Sequence, residues 1–383
     1  MEYAFDIGEY HARLMQVRTA MAKANLDCLL ITDPSNMGWL TGYDGWSFYV
    51  HQGVIVTHDA DPIWWGRLQD VAGAMRTTWM GDGGAVGYDE HYIQTSTRHP
   101  MEDLASRLSG RVGVEMDNYY FSAKAYAVLE TAGLELVDAT SLVNWCRAVK
   151  SDAEIAFMRK AARISEAVVD GMAQRIVPGI PKNEVVAEAY RDAIRGVDGD
   201  WGDYPAIVPL VPSGADAAAP HLTWNGDPFR SGEATTLEIA GCYRRYHVPL
   251  CRSVFLGHPP DEMKRAEAAV IEGLEAGIDA ARAGNQARDV AAALNGALKK
   301  VGIERTARCG YPIGLSYPPD WGERTISFRA EDDTVLEPNM TFHFMPGLWM
   351  DGWGLAITES IRITESGPAE CFCDRPRGMI VKN

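Results

Sequence analysis

The sequence predicts a two-domain protein, an α/β domain over residues 1–148 followed by an α+β domain over residues 149–383. Three observations carry this reading. A length of 383 residues suits two domains of ordinary size. Up to about residue 145, helical and strand-like segments alternate, as they do around a mixed sheet. Near residue 150 the texture changes to a long amphipathic helix, then to helices and strand-like runs that suit a largely antiparallel sheet covered on one face.

The elements follow in order. Tyr10, Leu14, Val17 and Met21 are spaced four, three and four apart, which puts them on one face of a helix over residues 8–24. Cys28-Leu29-Leu30-Ile31 is a short apolar run of the kind a buried strand makes, and Asp33-Pro34-Ser35-Asn36 breaks it with a turn that can cap a helix. Ser151 and Glu154 have the spacing of a capping box. Ile155, Met158, Ala162, Val169, Met172 and Ile176 mark the apolar face of the helix that starts there, and Pro178-Gly179 ends it. Further helices are predicted over 183–195, 261–282 and 287–301, and strands near 203–210, 234–241, 251–256, 340–346 and 357–364.

Composition narrows the function. The net charge of -16 is spread along the chain, which argues against nucleic-acid binding because a basic patch is needed to neutralise phosphates. No run approaches the length of a membrane span. The opening MEYAFDIGEYHARL lacks the basic start and apolar core of a secretory leader. Seven scattered cysteines, an odd number without framework spacing, suit free thiols in a reducing cytoplasm. Cys371 and Cys373 form a CxC pair with no further Cys or His close by in sequence to complete a metal site. No phosphate-binding or dinucleotide-binding glycine motif follows any strand.

Candidate chemistry lies in the second half. In Thr236-Leu237-Glu238-Ile239-Ala240, alternation sends Leu237 and Ile239 to one face and Glu238 to the other. Glu238 then faces either a concave surface or solvent. Gly214 to Pro220 is a loop of mostly small residues ending at His221, and small residues let backbone approach a ligand closely. A lone histidine there is either catalytic or an ordinary surface group. Residues 309–324 are rich in Gly, Pro and aromatics, which indicates an ordered loop of the kind that carries sites.

The order and spacing of several segments resemble the pita-bread family that includes methionine aminopeptidase, prolidase and creatinase. These are Pro220-His221, the Glu238 strand, Tyr246 to Arg252, Gly310 to Leu315, Leu336 to Gly347, and Gly354 to Thr364. Arg147 to Ser151, with Glu154-Ile155 and Met158-Arg159, resembles the domain junction of that family. The resemblance implies a creatinase-type N-terminal domain and a pita-bread C-terminal domain. Metal-dependent members bind two cations with two Asp, one His and two Glu. At the matching positions this sequence has Glu238, Pro249, Tyr311, Met345 and Thr358. Pro, Met and Thr cannot replace hard anionic ligands, so the resemblance implies a metal-independent member with no cofactor. Glu359, beside Thr358, is expected in the pocket if a bulge turns it inward.

Within the family, Asp33 to Met37, Thr41 to Gln52, Gly214 to Trp224 and Tyr311 to Thr325 resemble the ectoine-cleaving branch. That branch opens the cyclic amidine carboxylate ectoine to N-acetyl-2,4-diaminobutyrate, with hydroxyectoine as a further candidate substrate. The resemblance implies Glu238 as nucleophile or anchor of the amidinium and His221 as general acid/base. It implies Arg329 as the grip on the substrate carboxylate. Trp46, Tyr49, Tyr246, Tyr311 and Trp321 are expected to line a dry pocket with Met345 and Glu359. A cytoplasmic homodimer is expected, since creatinase-like members complete their sites across the dimer. The rival readings are another amidine or guanidine hydrolase, a metal-dependent peptidase, and a catalytically inert binding module.

Overall fold

The computed structural model describes residues 3–383, and the chain divides into two compact units, Met1–Arg147 and Ala148–Asn383. The first unit is a mixed six-stranded sheet with helices around it. Its strands are β1 (Cys28–Ile31), β2 (Gly53–Thr57), β3 (Ile63–Arg67), β4 (Ala85–Tyr88), β5 (Arg111–Val114) and β6 (Glu135–Asp138), in the order β4-β3-β2-β1-β5-β6. The helix Ile7–Lys23 buries Tyr10, Leu14, Val17 and Met21, the face that its periodicity marks. Asp33 caps the next helix by accepting the Ser35 N–H at 2.7 Å, and Pro34 occupies the first turn where no donor is needed. The buried Glu115 carboxylate accepts the backbone N–H groups of Thr32 and Asp33 and the Asn36 amide, so the polar groups at the end of β1 are satisfied.

The second unit is built around a long antiparallel hairpin, β7 (Ala234–Tyr243) and β8 (Tyr246–Leu256), with β15 (Ile380–Lys382) parallel to β8 on the outer side. A four-stranded sheet carries β9 (Gly310–Pro312), β10 (Thr341–Phe344), β13 (Glu359–Arg362) and β14 (Glu370–Cys371), and β11 (Leu348–Met350) pairs with β12 (Trp353–Leu355). The helices are Asp152–Arg175, Lys182–Arg195, Asp261–Ala280 and Ala287–Lys300. They lie within about two residues of the periodicity at each end. The Ser151–Glu154 capping box forms as its spacing predicts.

The hairpin turn Arg244-Arg245 has φ of 51° and 65°. Two positive φ values are what a two-residue turn needs to follow the strand twist, and two arginines are unusual occupants. Arg245 is held there, with its N–H on the Asp203 carboxylate at 3.1 Å and its guanidinium over the Tyr204 ring. One predicted strand is corrected. Residues 203–210 form no strand, and the β-bridge they share with the hairpin is Leu210 to Glu238. Pro205 and Pro209 remove two of the donors a ladder would use.

The helix Asp152–Arg175 lies against the backbone of the hairpin. Gly241 N–H donates to the Ser165 hydroxyl at 2.7 Å, and that hydroxyl donates to the Val248 carbonyl. A Cβ at Gly241 would sit 2.2 Å from the Ala161 carbonyl oxygen. At the helix C-terminus Lys382 donates to the carbonyls of Ala173, Gln174 and Ile176 at 2.8, 3.0 and 2.7 Å, which fixes β15. Gly241→Ala is expected to push the helix off the sheet and destabilise the protein by about 2 kcal/mol. Denaturant midpoints read this, and an unchanged midpoint would show that the helix is not seated on this strand.

Candidate active site

The site is assembled on the face of the sheets turned away from the helices. On β7, Gly241 faces Ala161 and Ser165 of the covering helix, and Ile239 shares its face, so Glu238 projects the other way. Its partner in register on β8 is Cys251, and residues directly opposite in an antiparallel pair share a face. Glu238 is 9% exposed. Among the described residues its carboxylate has no recorded hydrogen-bond partner. Burial alone pushes its pKa from 4.5 to about 7. The buried Cys251 thiol is pushed well above its ordinary range by burial and then by the Glu238 charge.

β10 supplies the next group. Phe342 and Phe344 lie in the apolar core against the helices, and His343 between them points to the site face. His343 pairs in register with Tyr311 on β9 and with Ser360 on β13. A continuous chain of hydrogen bonds then runs through buried groups. Trp321 Nε1 donates to the Tyr311 hydroxyl at 2.8 Å, and that hydroxyl is 2.8 Å from His343 Nδ1. His343 Nε2 is 2.8 Å from Thr358 Oγ1, which accepts the Cys251 N–H at 2.8 Å. Burial lowers the His343 pKa to about 3, so the ring is neutral. Tyr311 is pushed well above the ordinary phenol range, by burial first and then by the Glu238 charge, and the chain that starts at its hydroxyl ends on Cys251, the partner of Glu238 in register.

Glu238, Tyr311 and Trp321 are therefore brought together, joined by Cys251, His343 and Thr358. Two sequence-based expectations are corrected. Tyr246 is fully buried on the helix side of β8, where its hydroxyl donates to Glu154 at 2.7 Å and its ring meets Phe157. Glu359 lies opposite Phe344 in register, which turns it to the helix side. There its carboxylate accepts from Arg252 at 2.8 Å and Arg377 at 3.3 Å, so no bulge turns it inward. Met345 is half-buried and is held by its backbone, with its N–H on the Cys309 carbonyl. His221 is exposed in the turn after the short helix Gly214–Ala218, and no recorded hydrogen bond links it to Glu238. Arg329 is exposed and donates to Ser327 at 3.2 Å. Trp46 and Tyr49 belong to the first unit, where both are exposed.

Sequence reasoning passed over His343 and Arg308. The alternation Thr341-Phe342-His343-Phe344 was the available signal for the first. Arg308 lies three residues before Tyr311 and its guanidinium stands 4.7 Å from the centre of the Tyr311 ring, a contact that only the fold creates.

Comparison with known proteins fits this geometry. Residues 13–149 match the creatinase/prolidase N-terminal domain, and residues 156–365 match metallopeptidase family M24. The chain belongs to family M24. Among its relatives, the ectoine hydrolase of Halomonas elongata is 54% identical, covering 99% of this chain and 98% of its own. An uncharacterized hydrolase/peptidase of Sinorhizobium fredii is 36% identical over 99% of both chains. The Xaa-Pro dipeptidase of Bacillus anthracis shares the fold, with a TM-score of 0.82 at 22% identity, over 97% of this chain and 100% of that one.

The M24 name implies a metal, and the residues present do not fit one. Tyr311 and Thr358 are tied to His343 rather than turned to a common centre. Among the described residues no group of three or more His, Cys, Asp or Glu side chains could hold an ion. Of the five positions that the resemblance matches to metal ligands, Glu238 alone carries a carboxylate.

The raised Glu238 pKa has a cost in stability. Between pH 4.5 and about 7 the native carboxyl keeps a proton that the unfolded chain gives up. The folded state then binds more protons, so stability falls as pH rises through this window. The full loss, about 3 kcal/mol, is present above pH 7. Comparing wild type with Glu238→Gln at pH 4 and pH 8 by denaturant unfolding checks this. The balance is expected to move by up to about 3 kcal/mol in favour of the variant at pH 8, and a pH-independent difference would contradict it.

Proposed function

We propose that this M24 protein is an ectoine hydrolase that opens the cyclic amidine ring and works without a metal. The observation that carries the reading is Glu238, a buried carboxylate with no hydrogen-bond partner among the described residues, on the face that carries the neutral Tyr311–His343–Thr358 chain. Such a group calls for a cation small enough to reach it. An amidinium meets that need, because its charge is spread over two N–H donors that pair with a carboxylate. Similarity to the Halomonas elongata enzyme over nearly the full length of both chains supports the same substrate.

In the reaction, ionised Glu238 binds the amidinium and attacks its carbon, and water resolves the covalent intermediate. The oxygen added to that carbon becomes the amide carbonyl. One ring C–N bond breaks, and the departing nitrogen leaves as an ammonium. The amidinium and one water together supply the four N–H hydrogens of the product. His221 serves as general acid/base and Arg329 as the carboxylate grip in this reading. Both stand on exposed segments, so these two roles rest on family resemblance. Trp46 and Tyr49 have the same standing. The reading includes a cytoplasmic homodimer.

Glu238→Ala is expected to abolish ring opening, by about 10³-fold or more, in a protein that still folds. Mass spectrometry of N-acetyl-2,4-diaminobutyrate released from ectoine reads this, with creatine assayed beside it. Full activity of the variant sinks the mechanism. Exhaustive chelation is expected to leave turnover unchanged, whereas loss of activity restored by added divalent cation would return the protein to the peptidase chemistry of its relatives.

A further inference from the structure

The chain of hydrogen bonds behind Tyr311 contains more information than its distances. Two of its donors are fixed by chemistry. The Trp321 indole N–H donates to the Tyr311 hydroxyl, and the Cys251 backbone N–H donates to the Thr358 hydroxyl. Thr358 is fully buried, and among the described residues its own proton has one acceptor within reach, His343 Nε2. If Nε2 carried the proton instead, the unpaired donor would be the O–H of Thr358, which has no exposure and no other acceptor among the described residues, whereas Tyr311 keeps 7% exposure and its O–H can turn to the open face. The proton of neutral His343 therefore sits on Nδ1 and is donated to the Tyr311 oxygen. That oxygen then receives two hydrogen bonds, from Trp321 and from His343. The Tyr311 O–H has no acceptor left behind it.

We infer that Tyr311 is a catalytic hydrogen-bond donor whose proton is turned into the pocket beside Glu238 by the positioning residues Trp321, His343 and Thr358. This rests on the amidine-opening reading. A bound amidinium offers only N–H donors, so the Tyr311 O–H finds no acceptor on the reacting group at the start. An acceptor arises when oxygen is joined to the ring carbon, and Tyr311 donates to that oxygen while keeping its own proton. An interaction made only as the reaction proceeds raises kcat without tightening substrate binding. The two donors on the phenol oxygen make its O–H a better donor. The geometry also explains why a tyrosine stands at a position where metal-dependent relatives place a ligand, since both supply positive potential to a developing oxygen.

The test uses the full-length protein and has two arms. In long-range ¹⁵N–¹H spectra of histidine-labelled, ligand-free protein, with His343 assigned through His343→Gln, the ring is expected as the Nδ1–H tautomer. The Nε2–H form overturns the inference. In turnover of ectoine, Tyr311→Phe is expected to lower kcat by about 10²-fold with KM changed less than about 3-fold. Thr358→Val frees His343 to take the other tautomer and draw the Tyr311 proton back, so it lowers kcat in the same way. Thr358→Ser, which keeps the hydroxyl, restores it. The Tyr311→Phe/Thr358→Val protein is expected to be no slower than Tyr311→Phe alone. Retention of kcat in Tyr311→Phe, or an added loss in the double variant, overturns the inference. If wild type leaves ectoine unopened while the Nδ1–H form is seen, the substrate reading falls and the tautomer stands.

Discussion

A single buried carboxylate, Glu238, with no hydrogen-bond partner among the described residues, governs this site. Glu238 occupies the inner face of a long hairpin whose outer face is sealed by a helix that rests on Gly241 through Ala161 and Ser165. The strand cannot slip by one residue without burying Leu237 and Ile239 in the site and sending Glu238 into the helix layer. The helix packing thus fixes the carboxylate where water is scarce and its charge is costly. A group with a pKa near neutrality is suited to meet a cationic substrate, because the partner it lacks is the one the substrate brings.

Around Glu238 stand neutral groups that satisfy one another. Tyr311 and Thr358, which the family resemblance matches to ligand positions of metal-dependent members, are both bound to His343. A histidine held neutral by burial is a connector in such a chain, not an acid or base. On the far side of the sheet the charged groups behave differently. Glu359 is held by Arg252 and Arg377, so its charge is answered by the protein and is not presented to a ligand. Two buried glutamates on one scaffold thus have opposite parts, decided by which face of a strand each occupies.

Much of this was legible in the sequence. The capping box at Ser151, the apolar periodicities of the long helices and the alternation around Glu238 are local signals, and local physics decides them. The misread residues depend on register across strands. Nothing in the Thr358-Glu359 dipeptide says which side chain faces inward, and only the pairing of Glu359 with Phe344 settles it. Tyr246 reads as an aromatic near the site, but its hydroxyl is taken by Glu154, which also accepts the Ser151 N–H as part of the helix cap. Residues 203–210 have the apolar content of a strand, and their prolines deny them a ladder. His343 was passed over because a lone histidine in an apolar run is unremarkable until its two nitrogens are seen to join β9 to the segment before β13.

The most direct measurement of the account is the pH dependence of kcat/KM for ectoine opening, which reports the ionisation of essential groups in the free enzyme. If ionised Glu238 is what meets the amidinium, kcat/KM rises with pH and levels off above an apparent pKa of about 7. A profile that is flat from pH 5 to 8, or one that rises only with a pKa in the ordinary carboxylate range, would contradict it.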